Sequence, residues 1–508
     1  ADAYRDPVAD LDEALGRWDT TAALDALERM PDGPERKIKQ GVIEVFRGHY
    51  YDAEALLTDA IASGELEDDS NLAEEAHYYL ALAGGAQKAL GSTIHVVDAD
   101  GHIDAVFADA KDVVMAPYLF EAMASAREVL ATELGVVPDH AVRFEFLDDP
   151  AKLAMVTPLT VQNIRTTGTV GVTKHRRVVM ITPRVMVHGY GWLDTAVHEY
   201  VHYLLTLRTG NNAPVWLQEG LAKLYETRWR TGEPEPLDEG VAYRLHQAIV
   251  RDDLVTFAEM YPSVAMLPSA ERAALAYAEV ETMLGLLRER KGTAAIEALL
   301  DRVAAGDDAE TALAGAWGGD FADFYGEWKR VMLARTAKSH KDEIDVPTFK
   351  DGEGAPSPAE LGDVFSELGG GKARQHARLG ALLHARSHAE SAVIEYERAR
   401  KADPRARRDP ALARRLGRLY VELERFADAV PLLDIAAKDA PDDANLAAAQ
   451  CRALLRTGAR TAARAAADRV IRNNPFVPTV HCDLAELAKD DVTAAAERAQ
   501  CREPDAGE

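Results

Sequence analysis

Cysteine is nearly missing from this sequence: Cys451, Cys482 and Cys501 are its only 3, all near the C-terminus and at spacings unlike a zinc ribbon. So few thiols exclude a disulfide framework as the basis of the fold, and an odd number neither requires nor forbids one bridge. Long apolar runs are missing too. None approaches the roughly 18–20 residues needed to cross a bilayer, so no transmembrane segment is expected. Positive charge is in deficit: 58 Lys and Arg against 84 Asp and Glu leave a net charge of −26. A chain this acidic repels phosphate backbones, which argues against nucleic acid as a partner. No phosphate-loop lysine follows Gly369-Gly370-Gly371, so those glycines read as a hinge or cap. An initial methionine is absent, and the Ala1-Asp2-Ala3-Tyr4 start suits cleavage of a signal peptide. A periplasmic or secreted location is therefore expected ahead of a cytoplasmic one, although a trimmed chain would begin the same way.

What is present is globular. Hydrophobic residues at 47% and charged residues at 28% suit packed cores, and 508 residues are too many for one of them. Residues 1–92 carry helical periodicity without strand alternation. Within them Gly41, Ala53, Leu57 and Ala60 stand at the offsets where a helical hairpin repeat places small and bulky packing residues. From Thr93 the period changes to alternation, with a hairpin expected around Asp100-Gly101. A helix is expected at about 117–135, strands at "VRFEFLD", "TVGVTK" and "RRVVMITP", then helices from 194 to about 335. Strands first and helices second predict an α+β domain. Residues 336–360 are polar and aperiodic, and read as a linker.

Beyond the linker the chain repeats itself. Aligning Pro404, Pro441 and Pro475 brings the small residues into register: the first unit has Leu379, Gly380, Ala392, Tyr396 and Ala399, and the second has Leu416, Gly417, Tyr420, Ala429 and Ala436. Cys451 takes the small-residue slot of a more worn third unit. This pattern resembles the tetratricopeptide repeat, which implies stacked helical hairpins over residues 361–508 and a surface for a protein partner. The segment 398–418 is rich in arginine, which fits either a solvated helix face or a grip on an acidic peptide.

The chemistry lies in "WLDTAVHEYVHYLLTLRTGNNAPVWLQEGLAKLYE". His198-Glu199-Tyr200-Val201-His202 is an H-E-x-x-H string. On a helix four residues advance about 400° and about 6 Å, so both imidazoles leave one face and can share an ion. Asp194 or Thr195 can cap that helix, and Val197, Val201, Leu204 and Leu205 give it a buried side. A catalytic zinc takes three protein ligands. Glu219 supplies the third, beyond the turn-rich "RTGNNAP" that lets a second helix fold back. Gly220 and Ala222 are small where helices approach closely, and Trp216 and Leu217 can wall the site. One Zn²⁺ held there acidifies water to a pKa of about 7, and Glu199 can accept the proton.

His198-Glu199-x-x-His202 followed by Trp216-Leu217-Gln218-Glu219-Gly220-Leu221-Ala222 resembles the gluzincin metallopeptidases of the peptidase MA-like group, often fused to tetratricopeptide repeats. The resemblance covers about residues 93–335 and implies a zincin-like α+β domain between all-α repeat regions. It further implies that a strand edge before the zinc helix binds substrate backbone, here residues 169–183 with Gly171, Val172 and Thr173. It implies a tyrosine on a later helix that stabilises the tetrahedral intermediate. "LAYAEVETMLGLLRERKG" resembles that helix and puts Tyr277 in the role, with His246 as the other candidate. "FADFYGEWKRVM" resembles the domain's last helix, with Trp328 as a packing residue. No Gly-x-Met-x-Asn string is present, which disfavours an aminopeptidase. Lys223 stands where relatives often carry an acid that orients a zinc histidine. The reading is a zinc-dependent peptidase hydrolysing peptide bonds, its repeats recruiting substrate or partner proteins. Two alternatives stand beside it: a catalytically silent repeat adaptor, and a zinc hydrolase of a non-peptide amide or ester.

Overall fold

Local signals start the N-terminal helices. In the computed structural model, which describes residues 6–67, 70–157, 159–335, 365, 368 and 371–502, the side chains of Asp6, Asp19 and Ser70 accept hydrogen bonds from the free amides of α1 (Pro7–Gly16), α2 (Thr20–Glu28) and α5 (Asn71–Leu90). Between them, α3 (Pro34–Arg47) crosses α4 (Tyr50–Ala62) at Gly41, where an added Cβ would lie 2.7 Å from Leu57 Cγ. The small-against-large pairing expected at these two positions is present.

A five-stranded mixed sheet follows in the order β1-β2-β3-β5-β4. Strands β1 (Ile94–Val97) and β2 (Ile103–Phe107) form the antiparallel hairpin around Asp100-Gly101. The Asp98 carboxylate accepts from the amides of His102 and Ile103 to close it. Strands β2, β3 (Val142–Leu147) and β5 (Arg177–Ile181) run parallel, while β4 (Gly171–Lys174) pairs antiparallel with β5 and ends the sheet. The helices around and after the sheet are α6 (Ala116–Leu134), α7 (Pro150–Met155), α8 (Val161–Thr167), α9 (Trp192–Thr209), α10 (Val215–Tyr225), α11 (Arg228–Thr231), α12 (Glu239–Arg251), α13 (Ala270–Lys291), α14 (Thr293–Ala304), α15 (Ala309–Trp317) and α16 (Phe321–Ala334). The α+β class expected from strands-then-helices is what forms.

The chain divides into two compact units, Ala1–Thr182 with Leu193–Val346, and Pro183–Trp192 with Pro347–Glu508. Residues 1–92 and the sheet thus share one unit, and a buried polar cluster explains why. Tyr50 of α4 donates to Glu145 of β3, whose carboxylate also meets Arg143 at 2.8 Å and Arg177 at 3.1 Å. Glu145 and Arg177 are nearly inaccessible, so each charge depends on the other and on the phenol. The β4–β5 turn is held as well. His175 and Arg176 take left-handed φ of 51° and 62°, and the His175 ring sits 5.3 Å from Phe46 and 5.7 Å from Tyr79.

The second unit contains α17 (Gly371–His384), α18 (Ala389–Ala402), α19 (Pro410–Glu422), α20 (Phe426–Asp439), α21 (Ala444–Arg456), α22 (Arg460–Asn473), α23 (Pro478–Leu487) and α24 (Asp491–Gln500), packed as consecutive hairpins. Gly380 meets the Tyr396 ring and Gly417 meets Leu433, each too close for a Cβ, and Cys451 is buried in the third hairpin. Leu379, by contrast, is 44% exposed and not a core position. Several arginines of the 398–418 run are paired locally, Arg398 with Glu395, Arg400 with Glu397 and Arg414 with Asp443. Cys482 and Cys501 are disulfide-bonded. The segment 183–192 belongs to this unit: the Tyr190 amide donates to Asn473 O at 3.0 Å, and the Trp192 indole donates to Ile471 O at 2.8 Å. The linker expected over 336–360 lies outside the described residues.

Burial, helped by Arg177 and Lys174, drags the His175 imidazole down to about 3. An unfolded histidine titrates near 6.5. The stability that comes from keeping His175 neutral is therefore complete above pH 6.5 and is lost as the pH falls from 6.5 towards 3. At pH 5 the loss amounts to about 2 kcal/mol. Urea unfolding midpoints of wild type and His175→Gln measured from pH 7.5 to 5 should show a markedly shallower decline in the variant. Equal slopes would assign the acid sensitivity to another group.

Candidate metal centre

Helix α9 buries Val197, Val201, Leu204 and Leu205, as its periodicity requires. It starts at Trp192, so Asp194 lies inside the first turn and is not its cap. The Asp194 carboxylate instead accepts from Trp229 Nε1 at 2.8 Å and from Arg230 at 2.9 and 3.0 Å. The helix ends because Gly210 and Asn211 take φ of 60° and 65°. Thr209 Oγ1 donates to Leu205 O and accepts from the Ala213 amide, and Gln218 Nε2 donates to Ala213 O. These bonds fold the chain back and deliver Glu219 on the second turn of α10.

Three donor atoms converge. His198 Nε2 and His202 Nε2 are 3.1 Å apart, and Glu219 Oε2 stands 3.4 and 3.6 Å from them. A tetrahedral ion bonded at about 2.0–2.1 Å has ligand–ligand edges of about 3.3–3.4 Å, so the triangle fits one such ion. Burial opposes charge on His198, but the carboxylates of Glu219 and Glu226 outweigh it and raise the imidazole to about 10. Burial likewise opposes charge on Glu219, and the two histidines hold its carboxyl far below the usual range. The donor set has the composition and spacing of a cation site.

Glu199 is 7% exposed and pressed against β4. Thr173 Oγ1 lies 2.7 Å from its Oε2 and 2.8 Å from its backbone oxygen. A Cβ on Gly171 would come within 2.9 Å of Glu199 Cγ and Oε1, so only glycine lets the strand pass this close. Val172 sits between them, paired with Val179. The edge strand is thus beside Glu199. Burial first, then the carboxylates of Glu219, Glu199 and Glu226, lift the Tyr277 phenol well above its usual range and keep it a neutral donor among them. His246 lies on α12, with Nδ1 buried and unpartnered.

Glu226 was not anticipated. Its Oε2 lies 2.9 Å from His198 Nδ1, and Lys223 Nζ lies 3.0 Å from its other oxygen. Relatives often carry the orienting acid four residues after the glutamate, where this chain has Lys223. The structure places the acid seven after, where residues 219, 223 and 226 share one helix face, and a lysine at the intermediate position holds it. Gly220 does mark a close helix approach, but to α13: its Cβ would lie 2.6 Å from Leu284 Cδ1 and 3.1 Å from Val280 O. Trp216 packs its ring 4.8 Å from Phe257. Trp328 is buried and donates to Thr282 Oγ1 at 3.0 Å, so it packs as expected.

Residues 125–334 match the model of the Peptidase MA superfamily, whose members are typically metal-dependent. Residues 125–334 therefore resemble a Peptidase MA domain, and the consecutive hairpins of α17–α24 are helical repeats. The matched span contains the triad, Glu199, β4 and Tyr277. No curated protein matches the chain. Among solved structures, yeast Tom70 aligns at 12% identity over 97% of this chain and 88% of that one, with a TM-score of 0.18, too low to support any argument.

The Glu226 contact predicts a measurable effect on metal affinity. Glu226→Gln leaves His198 a weaker acceptor for its Nδ1 proton, and affinity for zinc in a chelator competition should fall by about 10–100-fold. Unchanged affinity would show that His198 needs no such support.

Proposed function

We propose that the protein is a zinc-dependent peptidase of the gluzincin type, with His198, His202 and Glu219 as the ligands of one Zn²⁺ and Glu199 as the general base. The observation that carries this reading is the donor triangle, built partly on the same helix as Glu199, whose carboxylate lies against the edge strand. When bound, zinc supplies a Lewis acid that acidifies water and polarises a substrate carbonyl. The rest falls to the chain. An extended peptide pairs its backbone with the free edge of β4 at Gly171, Val172 and Thr173. Thr173 fixes the Glu199 carboxylate, which takes a proton from the attacking water and passes it to the departing amine. The Tyr277 hydroxyl donates to the oxygen that gains charge, and its raised pKa keeps that proton in place at neutral pH. Glu226 orients His198. The C-terminal hairpins recruit a protein substrate or partner. A disulfide between Cys482 and Cys501 suits an oxidising compartment, in keeping with a periplasmic or secreted protein.

Elemental analysis should find about one zinc per chain, with most of it lost in His202→Ala. Glu199→Gln should retain zinc while peptide hydrolysis falls by roughly 10²–10⁴-fold. A Glu199→Gln chain that cleaves as well as wild type would refute the assignment of the base. Tyr277→Phe keeps the ring and tests the hydroxyl alone, and kcat should drop about 10²-fold or more with zinc content unchanged. Normal kcat in Tyr277→Phe beside a folded but inactive His246→Ala would transfer the role to His246.

A further inference from the structure

A cavity of about 480 Å³ lies beside the site, within the range of about 300–1,000 Å³ typical of small-ligand clefts. Its walls come from two sources. Thr173, Lys174 and His175 of the β4 hairpin, Thr206 one turn beyond His202, and Gln218 next to Glu219 make the side nearest the triad. The N-terminal helices make the other side, with Trp18, Phe46 and Tyr79 as aromatic surface and Asp12 and Glu75 as charge. Nothing in the proposed hydrolysis uses this second wall.

The carboxylates stand on the N-terminal wall, as Asp12 and Glu75, and Lys174 on the opposite wall gives its ammonium to the Tyr78 hydroxyl at 3.5 Å. Asp12 gives one carboxylate oxygen to the buried Lys39 at 2.7 Å, and its side chain is half exposed. Glu75 gives both oxygens to the same lysine. Gln218 spends its Nε2 on Ala213 O, which leaves its carbonyl as the end that can accept. Aromatic faces beside carboxylates favour a cation carried on an apolar stem. The chain's net charge of −26 draws such peptides in.

We propose that this cavity is a substrate subsite built by the N-terminal helices, and that it receives an arginine or lysine side chain of a peptide lying along β4. The proposal rests on the peptidase reading and makes the N-terminal helices a specificity element. Arginine suits it better than lysine, since a planar fork of five donors matches scattered acceptors.

The test uses the full zinc-loaded chain and a peptide library read by mass spectrometry. Cleavage should concentrate at bonds with arginine or lysine at one fixed position. For a matched pair of peptides, replacing that arginine by norleucine should lower kcat/KM at least tenfold in wild type. In Asp12→Asn, KM for the arginine peptide should rise severalfold while the norleucine peptide is unaffected. A second arm measures binding of the same labelled peptides to zinc-loaded Glu199→Gln by fluorescence anisotropy. Cleavage with a preference for aromatic or aliphatic side chains, or none, would overturn the subsite and leave the peptidase standing. Arginine-selective, Asp12-dependent binding without cleavage of any peptide by wild type would do the reverse. Neither cleavage nor binding would overturn both.

Discussion

Glu219 can complete a triangle with the two histidines only while α10 stays clamped to α13. The proposed ligand and the packing glycine are consecutive residues: Glu219 faces α9, and Gly220 lies against Val280 and Leu284 with no room for a methyl group. A shift of α10 therefore moves the Glu219 carboxylate directly. Metal sites tolerate deviations of only about 0.2 Å in bond length, so the helix needs more than van der Waals contact to hold it. Glu133 of α6 supplies that hold. Its buried carboxylate binds Arg288 of α13 at 2.9 Å, Arg228 of α11, and the hydroxyl of Tyr225 at the end of α10 at 3.1 Å. Burial alone would neutralise it, yet the two guanidinium groups keep its pKa low. One carboxylate thus ties four helices together behind the triad, and Tyr277 on α13 is positioned by the same clamp.

A second set of buried charges fixes the other side of the site. An edge strand is a mobile and exposed element unless something holds it. Here β4 has only four residues, and its turn is enclosed by Phe46 of α3 and Tyr79 of α5 through His175. The next strand, β5, carries Arg177 into the Tyr50–Glu145 cluster. The N-terminal helices consequently support the strand that presses on Glu199. Their repeat-like geometry, with Gly41 under Leu57, serves attachment within this unit. That is a different use of the helical hairpin from the stacked α17–α24.

Much of this could be read from the residues alone, for physical reasons. Alternation and the Asp100-Gly101 pair gave the hairpin, and the four-residue spacing of His198 and His202 on an amphipathic helix gave the convergence of their Nε2 atoms. Gly171 fell within the strand singled out by family resemblance, although nothing in one sequence reveals that a Cβ there would collide with Glu199. What stayed hidden depends on long-range packing. Glu226 reaches His198 because α10 and α9 lie side by side. Gly220 packs on α13 because that helix, 50 residues later, returns to it. The capture of 183–192 by α22 could not be seen either, since Tyr190 and Trp192 look like ordinary residues of a glycine-containing loop. Asp194 has the residue type of a cap, but the helix already begins at Trp192.

Lys223 puts an ammonium beside a candidate cation site, and charge balance explains it. Glu199, Glu219 and Glu226 bring three negative charges into a largely buried region, and Lys223 offsets one of them. Burial works against its ammonium, yet Glu226, Glu281 and Glu219 raise its pKa, so it stays charged. Glu281 does not add a full charge, because burial and the nearby Glu226 push it up to about 7. The three glutamates and Lys223 leave −2, Glu281 adds a fraction of a charge near neutral pH, and a divalent cation offsets most of the total. In a metal-free chain a proton on His198, favoured by Glu219 and Glu226, makes up part of the same deficit. Lys223 also stands 5.7 Å from the Tyr277 ring. One lysine therefore neutralises the acid that orients His198 and lies over the phenol proposed as donor. A lysine at this position offsets the additional orienting carboxylate, so the region carries no more net charge than it would without Glu226.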